Sequence, residues 1–172
     1  MINYKLIKEM FELQDKFNEY TVKDWKSANL AWHRAIWLET AEAVESLDWK
    51  WWKHKEPDYN NLKVEMIDIW HFLMSYYMVN FEDFAKNPEH YENLLMSDLE
   101  QTENISIIDM LEDLASLVLE TKNESQIYLI FIFINIWAKM GYEVDDLYNE
   151  YIIKNVLNKF RQDNGYKTGE YK

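Results

Sequence analysis

Two short acidic motifs carry the first chemistry in this chain. ETAE supplies Glu39 and Glu42, and EMID supplies Glu65 and Asp68. On a helix, residues three apart share one face with their Cβ atoms roughly 5–6 Å apart. The short connection around Pro57 favours antiparallel packing of the two segments, which would turn four carboxylates toward one another. At an effective dielectric near 20, two charges about 5 Å apart repel by about 3 kcal/mol, so four together call for cations between them. Hard carboxylate oxygens suit Mg²⁺, with Mn²⁺ as a substitute. The same spacing recurs at Glu9/Glu12, Glu89/Glu92, Glu100/Glu103, Asp109/Glu112 and Glu143/Asp146, so spacing alone singles out nothing. The neighbours decide instead. Ala35, Ile36 and Ala43 surround Glu39, and Val64 and Phe72 flank Asp68, which places both on half-buried faces where charges rarely sit without partners. A crowded but solvated acidic face is the alternative.

The C-terminal segment KNVLNKFRQDNGYKTGEYK reverses the local charge. Lys154, Lys159, Arg161, Lys167 and Lys172 outnumber Asp163 and Glu170. Lys154, Asn158 and Arg161 follow i, i+4, i+7 and share one helical face, where a lysine point charge beside an arginine fork suits a polyphosphate. Cations near a helix C-terminus also complement its dipole without any ligand. An acidic metal site together with a basic clamp makes a nucleoside triphosphate a fitting substrate. Asp68 and His71 form one carboxylate-x-x-His step of the kind that ligates iron in helical bundles, but the second step that such a site needs is missing.

These residues need long helices to hold them. The 172-residue chain is 48% hydrophobic and 16% aromatic, which suits one domain, 1–172, with a sizeable core. Only three glycines and two prolines interrupt it, and the periodicity predicts helices over 2–20, 27–54, 60–86, 105–122, 126–140 and 143–163. The fold class is therefore all-α, a bundle of about six helices. IYLIFIFINIW has no polar stripe wide enough to face water, so it is expected at or beside a subunit interface. Trp37, Trp70 and Trp137 read as core. A net charge of −13 and a pI near 4.7 argue against nucleic acid as a partner. The absence of cysteine leaves no disulfide or thiolate chemistry. No apolar run is comfortable as a membrane span, and the N-terminal segment does not read as a secretory signal. A cytoplasmic protein is expected.

WHRAIWLETAEAVESLDWKWWK, VEMIDIWHF and KNVLNKFRQDNGYK together closely resemble the dimeric dUTP diphosphatases, the all-α branch of the nucleoside triphosphate pyrophosphohydrolases that includes the MazG-like enzymes. The resemblance covers about residues 5–80 and 145–172 and implies a homodimer that hydrolyses dUTP to dUMP and pyrophosphate by water attack on the α-phosphate. It implies that Glu39, Glu42, Glu65 and Asp68 hold Mg²⁺, with Glu39 or Glu42 also activating the water. Lys154, Asn158, Arg161, Tyr166 and Lys167 would bind the phosphates. Gln14, Asn18, Trp49, Trp52 and His71 would surround the base and sugar, and Glu45 would stand beside the site. An amide can present either edge by flipping, so dCTP, alone or with dUTP, is the alternative substrate. An acidic helical interaction protein is the alternative of another class.

Overall fold

A computed structural model describes residues 3–92, 104–120 and 124–169. Its longest helix, α3 (Tyr59–Asn80), is the axis of the fold. Asp58 caps its start by accepting a hydrogen bond from the Asn61 N–H (2.9 Å). From Glu65 to Met78 nearly every side chain is buried, because other helices cover α3 on almost all sides. α2 (Trp32–Glu45) makes the most extensive contact with it. Its buried residues, Ile36, Thr40 and Ala43, form a narrow stripe that fits one groove of α3, and the Thr40 hydroxyl folds back onto the Ile36 carbonyl (2.7 Å).

α1 (Tyr4–Thr21) lies against α3 and is unusual in what its inner face contains. Ile7, Met10 and Phe11 are core residues, and the same stripe continues into Gln14 and Asn18, both buried. α4 (Glu82–Lys86) follows α3 after a break, and α5 (Ile107–Leu119) begins with a Ser106/Asp109 capping box. α6 (Leu129–Lys139) ends in a Schellman arrangement. There the Gly141 N–H reaches the Ala138 carbonyl (2.9 Å) and the Tyr142 N–H reaches that of Trp137 (3.3 Å). Gly141 takes φ +88°, which explains glycine at that point. α7 (Val144–Asp163) packs on α1 and α3.

Among the described residues there is no strand, and the all-α expectation is met. Two helices differ in extent. The helix expected over 27–54 is confined to Trp32–Glu45: the Ser46 carbonyl accepts from the Asp58 N–H (2.8 Å) and the Glu45 carbonyl accepts from Lys55 Nζ (2.6 Å), so the chain leaves the helix into a loop. The helix expected over 60–86 breaks at Phe81 (φ −136°, ψ 57°). Residues 93–103 and 121–123 lie outside the described residues, and with the latter the expected end of the 105–122 helix.

α6 is helical as expected, but the chain itself covers it. Phe131 is 2% exposed and Phe133 fully buried, against α5 and α3, so its apolar surface needs no partner subunit. Trp70 stacks on Phe133 (ring centroids 5.0 Å, 25° between planes), and Phe133 stacks in turn on Trp137 (6.4 Å, 10°). Trp70 and Trp137 are thus core as read, whereas Trp37 is 46% exposed on the outer face of α2. No single described helix is long and apolar enough to cross a membrane. Because Phe133 is locked between two indoles, Phe133→Ala is expected to lower unfolding stability by about 3–5 kcal/mol in urea titration.

Candidate active site

The α2–α3 contact brings the acidic motifs together. Glu39, Glu42 and Glu65 each offer a carboxylate oxygen, and the three oxygens lie within 4.8 Å of one another. Glu65 is buried, Glu39 half-buried at the edge of the α2 stripe, and Glu42 exposed at the mouth. Asn61 Nδ2 donates to Glu65 Oε1 (3.0 Å) and to Ser46 Oγ (2.8 Å), which ties Glu65 to the end of α2. Asp68 stands outside the trio and pairs with Lys154 Nζ of α7 at 2.6 Å. Glu45 is exposed and pairs with Lys50, away from the trio.

Burial, and then the charges of Asp68, Glu42 and Glu65, push the Glu39 carboxyl up to about 7, with Lys154 pulling the other way. Burial first, then Asp68 and Glu42, likewise raises Glu65, against the Asn61 hydrogen bond and Lys154. The chain thus concentrates more negative charge here than it neutralises. All the donors are hard oxygens, and oxygens on opposite sides of one Mg²⁺ are about 4.2 Å apart, so the donor set fits such a cation with small adjustment.

A cleft of about 320 Å³ opens beside the carboxylates. Gln14, Asn18, Glu39, Asp68, His71, Lys154, Asn158, Arg161 and Tyr166 all line it. The basic face of α7 therefore does meet the acidic face of α3. Arg161 Nε is cut off from water and has no hydrogen-bond partner among the described residues.

At the far end of the cleft the polar groups satisfy one another. His71 Nδ1–H donates to Gln14 Oε1 (2.7 Å), because an amide oxygen has no hydrogen to give. Gln14 Nε2 donates to Asn18 Oδ1 (2.9 Å), Asn18 Nδ2 to Ser75 Oγ (2.8 Å), and Ser75 Oγ to the His71 carbonyl (2.9 Å). Tyr151 OH donates to Gln14 Oε1 (3.3 Å). The tautomer of His71 is thereby fixed, and its Nε2 is a buried acceptor without a partner among the described residues. Burial, reinforced by Lys154, pushes its pKa down to about 3, so the imidazole is neutral.

Three expected site residues fall elsewhere. Trp49 and Trp52 pack edge to face on each other (5.4 Å) in the loop after α2 and do not line the cleft. A helix through residue 54 would have carried them along α2, but that helix stops at Glu45. Lys167 Nζ donates to the Thr21 carbonyl at the end of α1 (2.9 Å) rather than into the cleft. In return Trp32, Phe17 and Phe72 form the aromatic wall, and Ser75 and Tyr151 complete the polar network. The model of the dUTPase family matches residues 6–166.

The chain belongs to the dUTPase family. It is accordingly a hydrolase of dUTP, a dUTP diphosphatase, which sets aside the reading as an acidic interaction protein. Dependence on a divalent metal is general among dUTPases, and the acidic trio fits one. A comparison with curated proteins finds no match. The family match spans the cleft and every residue that lines it. A wider surface depression of about 620 Å³ beside Trp25 holds Asp15, Glu19 and Asp24 with Lys16 and Lys26, and Lys26 pairs with Asp15 (3.0 Å).

The raised carboxyls make the metal-free dUTPase sensitive to pH. Glu39 titrates near 4.5 when unfolded and near 7 when folded, so the folded state holds the extra proton between these values. Stability from this group is complete below about pH 4.5 and is lost as pH rises through about 7. In chelator, Tm is expected to fall from pH 5 to pH 8, and Glu39→Gln is expected to flatten that slope. An unchanged slope in the variant would contradict the assignment.

Proposed function

We propose that this dUTPase hydrolyses dUTP at the α-phosphate with Mg²⁺, Mn²⁺ serving as a substitute, and releases dUMP and pyrophosphate. The observation that carries the proposal is the single cleft in which carboxylates of α2 and α3, a basic face of α7 and a fixed polar pocket follow one another. Bound divalent cations supply electrostatic stabilisation of phosphoryl oxygens and a lowered pKa for water. Glu39, Glu42, Glu65 and Asp68 hold them. Glu39 or Glu42 also accepts the proton of the attacking water. Lys154, Asn158 and Arg161 bind the phosphate chain, Arg161 with a donor still unused, and Tyr166 lines the same cleft.

Uracil suits the far end of the cleft. Gln14 Nε2 also donates to Asn18 Oδ1, whose Nδ2 donates to Ser75, so a flip of the Gln14 amide requires Asn18 and the His71 tautomer to reverse with it, and the ambiguity between two pyrimidine edges narrows. A neutral His71 Nε2 accepts an N–H. Uracil offers one at N3, where cytosine carries an acceptor and would leave two acceptors opposed. Asn18 retains a second amide hydrogen for a flanking carbonyl. In a panel of deoxynucleoside triphosphates with Mg²⁺, dUTP is expected to turn over fastest, with pyrophosphate as the first product by chromatography. Faster turnover of dCTP, or orthophosphate released first, would contradict the proposal. Glu39→Gln and Asp68→Asn should each retain the helical circular-dichroism signal yet cut turnover by more than about tenfold, or about 1.4 kcal/mol of barrier.

The homodimer is proposed through a different face from α6. Ile153 and Val156 on the outer side of α7 are 65% and 64% exposed, with Leu157 and Val64 beside them, and such a contiguous apolar patch marks a contact surface. Light scattering is expected to give twice the 21.0 kDa chain mass, and Ile153→Asp to give the monomer with its helices intact. A wild-type monomer at micromolar concentration would overturn this.

A further inference from the structure

The acidic trio has no cation of its own, but its neighbour Asp68 does. Lys154 Nζ lies 2.6 Å from Asp68 Oδ2, with the two side chains only 16% and 21% exposed. Among the described residues no other lysine, arginine or histidine forms an ion pair with Glu39, Glu42, Glu65 or Asp68. Lys154 reaches across from α7, where Asn158 and Arg161 continue the same face along the cleft. One end of this basic row is committed to a carboxylate, while at the other end Arg161 Nε is unpaired. Asp68, engaged by the ammonium, is also the carboxylate that stands outside the close grouping.

We propose that Lys154 is an exchangeable counter-ion: it holds Asp68 while the carboxylate site is empty, and a divalent cation displaces it from Asp68 toward the phosphates of the substrate. This rests on the reading of the four carboxylates as a cation site. An ammonium and a divalent cation compete for the same oxygens, so Lys154 lowers the affinity for a cation arriving alone. Once released it shares a helical face with Asn158 and Arg161 along the cleft, where an anion gains from it. Cation and triphosphate thereby favour each other's binding through one side chain, and the coupling is reciprocal. A purely structural ion pair would stabilise the fold without affecting cation affinity. A lysine that served phosphate alone would be silent before nucleotide arrives.

The test is Mn²⁺ binding to the nucleotide-free protein by electron paramagnetic resonance, with melting curves in chelator, for the wild type, Lys154→Met and Lys154→Arg. Lys154→Met is expected to melt lower in chelator yet to bind Mn²⁺ more tightly, on the order of tenfold, within the roughly 5- to 150-fold range usual for coupled sites. Lys154→Arg, which keeps the charge, is expected to bind Mn²⁺ no more tightly than the wild type. Unchanged or weaker Mn²⁺ binding by Lys154→Met overturns the proposal. If Lys154→Met fails to fold, the ammonium resonance that Lys154→Arg removes is followed by NMR in the wild type. Saturating Mg²⁺ should move it, and an unmoved resonance overturns the proposal. A wild type that binds no Mn²⁺ overturns the underlying cation site instead, an outcome distinct from the others.

Discussion

The packing of α2 on α3 forces like charges together, and much of the local structure answers that constraint. The stripe of Ile36, Thr40 and Ala43 lets the two helices approach closely, and the same approach sets oxygens of Glu39, Glu42 and Glu65 within 4.8 Å. Apolar burial supplies the force that holds them there, since a fully buried side chain of the size of Ile36 contributes about 1.5–3 kcal/mol. Repulsion among the carboxylates opposes it and appears as proton affinity, with Glu39 and Glu65 both raised. The Asn61 bridge between Ser46 and Glu65 and the Lys154 reach to Asp68 are the neutral and charged answers to the same problem.

α1 and α3 extend this logic along the cleft. The inner face of α1 changes from Met10 and Phe11 to Gln14 and Asn18 without leaving the buried stripe. Opposite it, α3 carries Glu65, Asp68, His71 and Ser75, a line of polar side chains along a helix otherwise buried and apolar. Buried polar groups persist only when satisfied. Here the amides, the serine and the imidazole satisfy one another across the helix pair, leaving His71 Nε2 over. The network serves the fold and orients the cleft at once.

That line along α3 was visible in the sequence, and three of its four members were read. Glu65, Asp68 and His71 stood out because acids and a histidine are conspicuous among apolar residues, whereas Ser75 at the next turn looked like ordinary filling. Tyr151, three residues before Lys154 on α7, carried the same kind of signal. Helix identity was legible because the periodicity of α1 and α5 is strong. The ends of α2 and α3 were not, because tertiary hydrogen bonds from Asp58, Lys55 and Asn61 decide where α2 gives way to a loop. The misplaced tryptophans follow from that one error. The enclosure of α6 was illegible for a related reason: no local pattern tells whether an apolar helix is covered by its own chain or by a second one.

The two ends of the cleft differ in how their polar groups are held, and the difference has a physical basis. Around His71 the partners are neutral, short-range and mutual, so displacing one orphans others in a buried setting, at about 1–3 kcal/mol for each. Such a network is stiff, and stiffness suits discrimination of a rigid heterocycle. Toward Asp68 and the C-terminal segment the partners are flexible lysines, with Lys154 on Asp68 and Lys167 on the Thr21 carbonyl. An ammonium carries three donors on a long stem and can trade one oxygen for another with little loss of geometry. In the proposed reading, a triphosphate that arrives with cations would remove the carboxylates' need for a lysine, so one end of the cleft would recognise shape and the other would exchange charge. α3, which supplies both His71 and Asp68, is the element that joins the two ends.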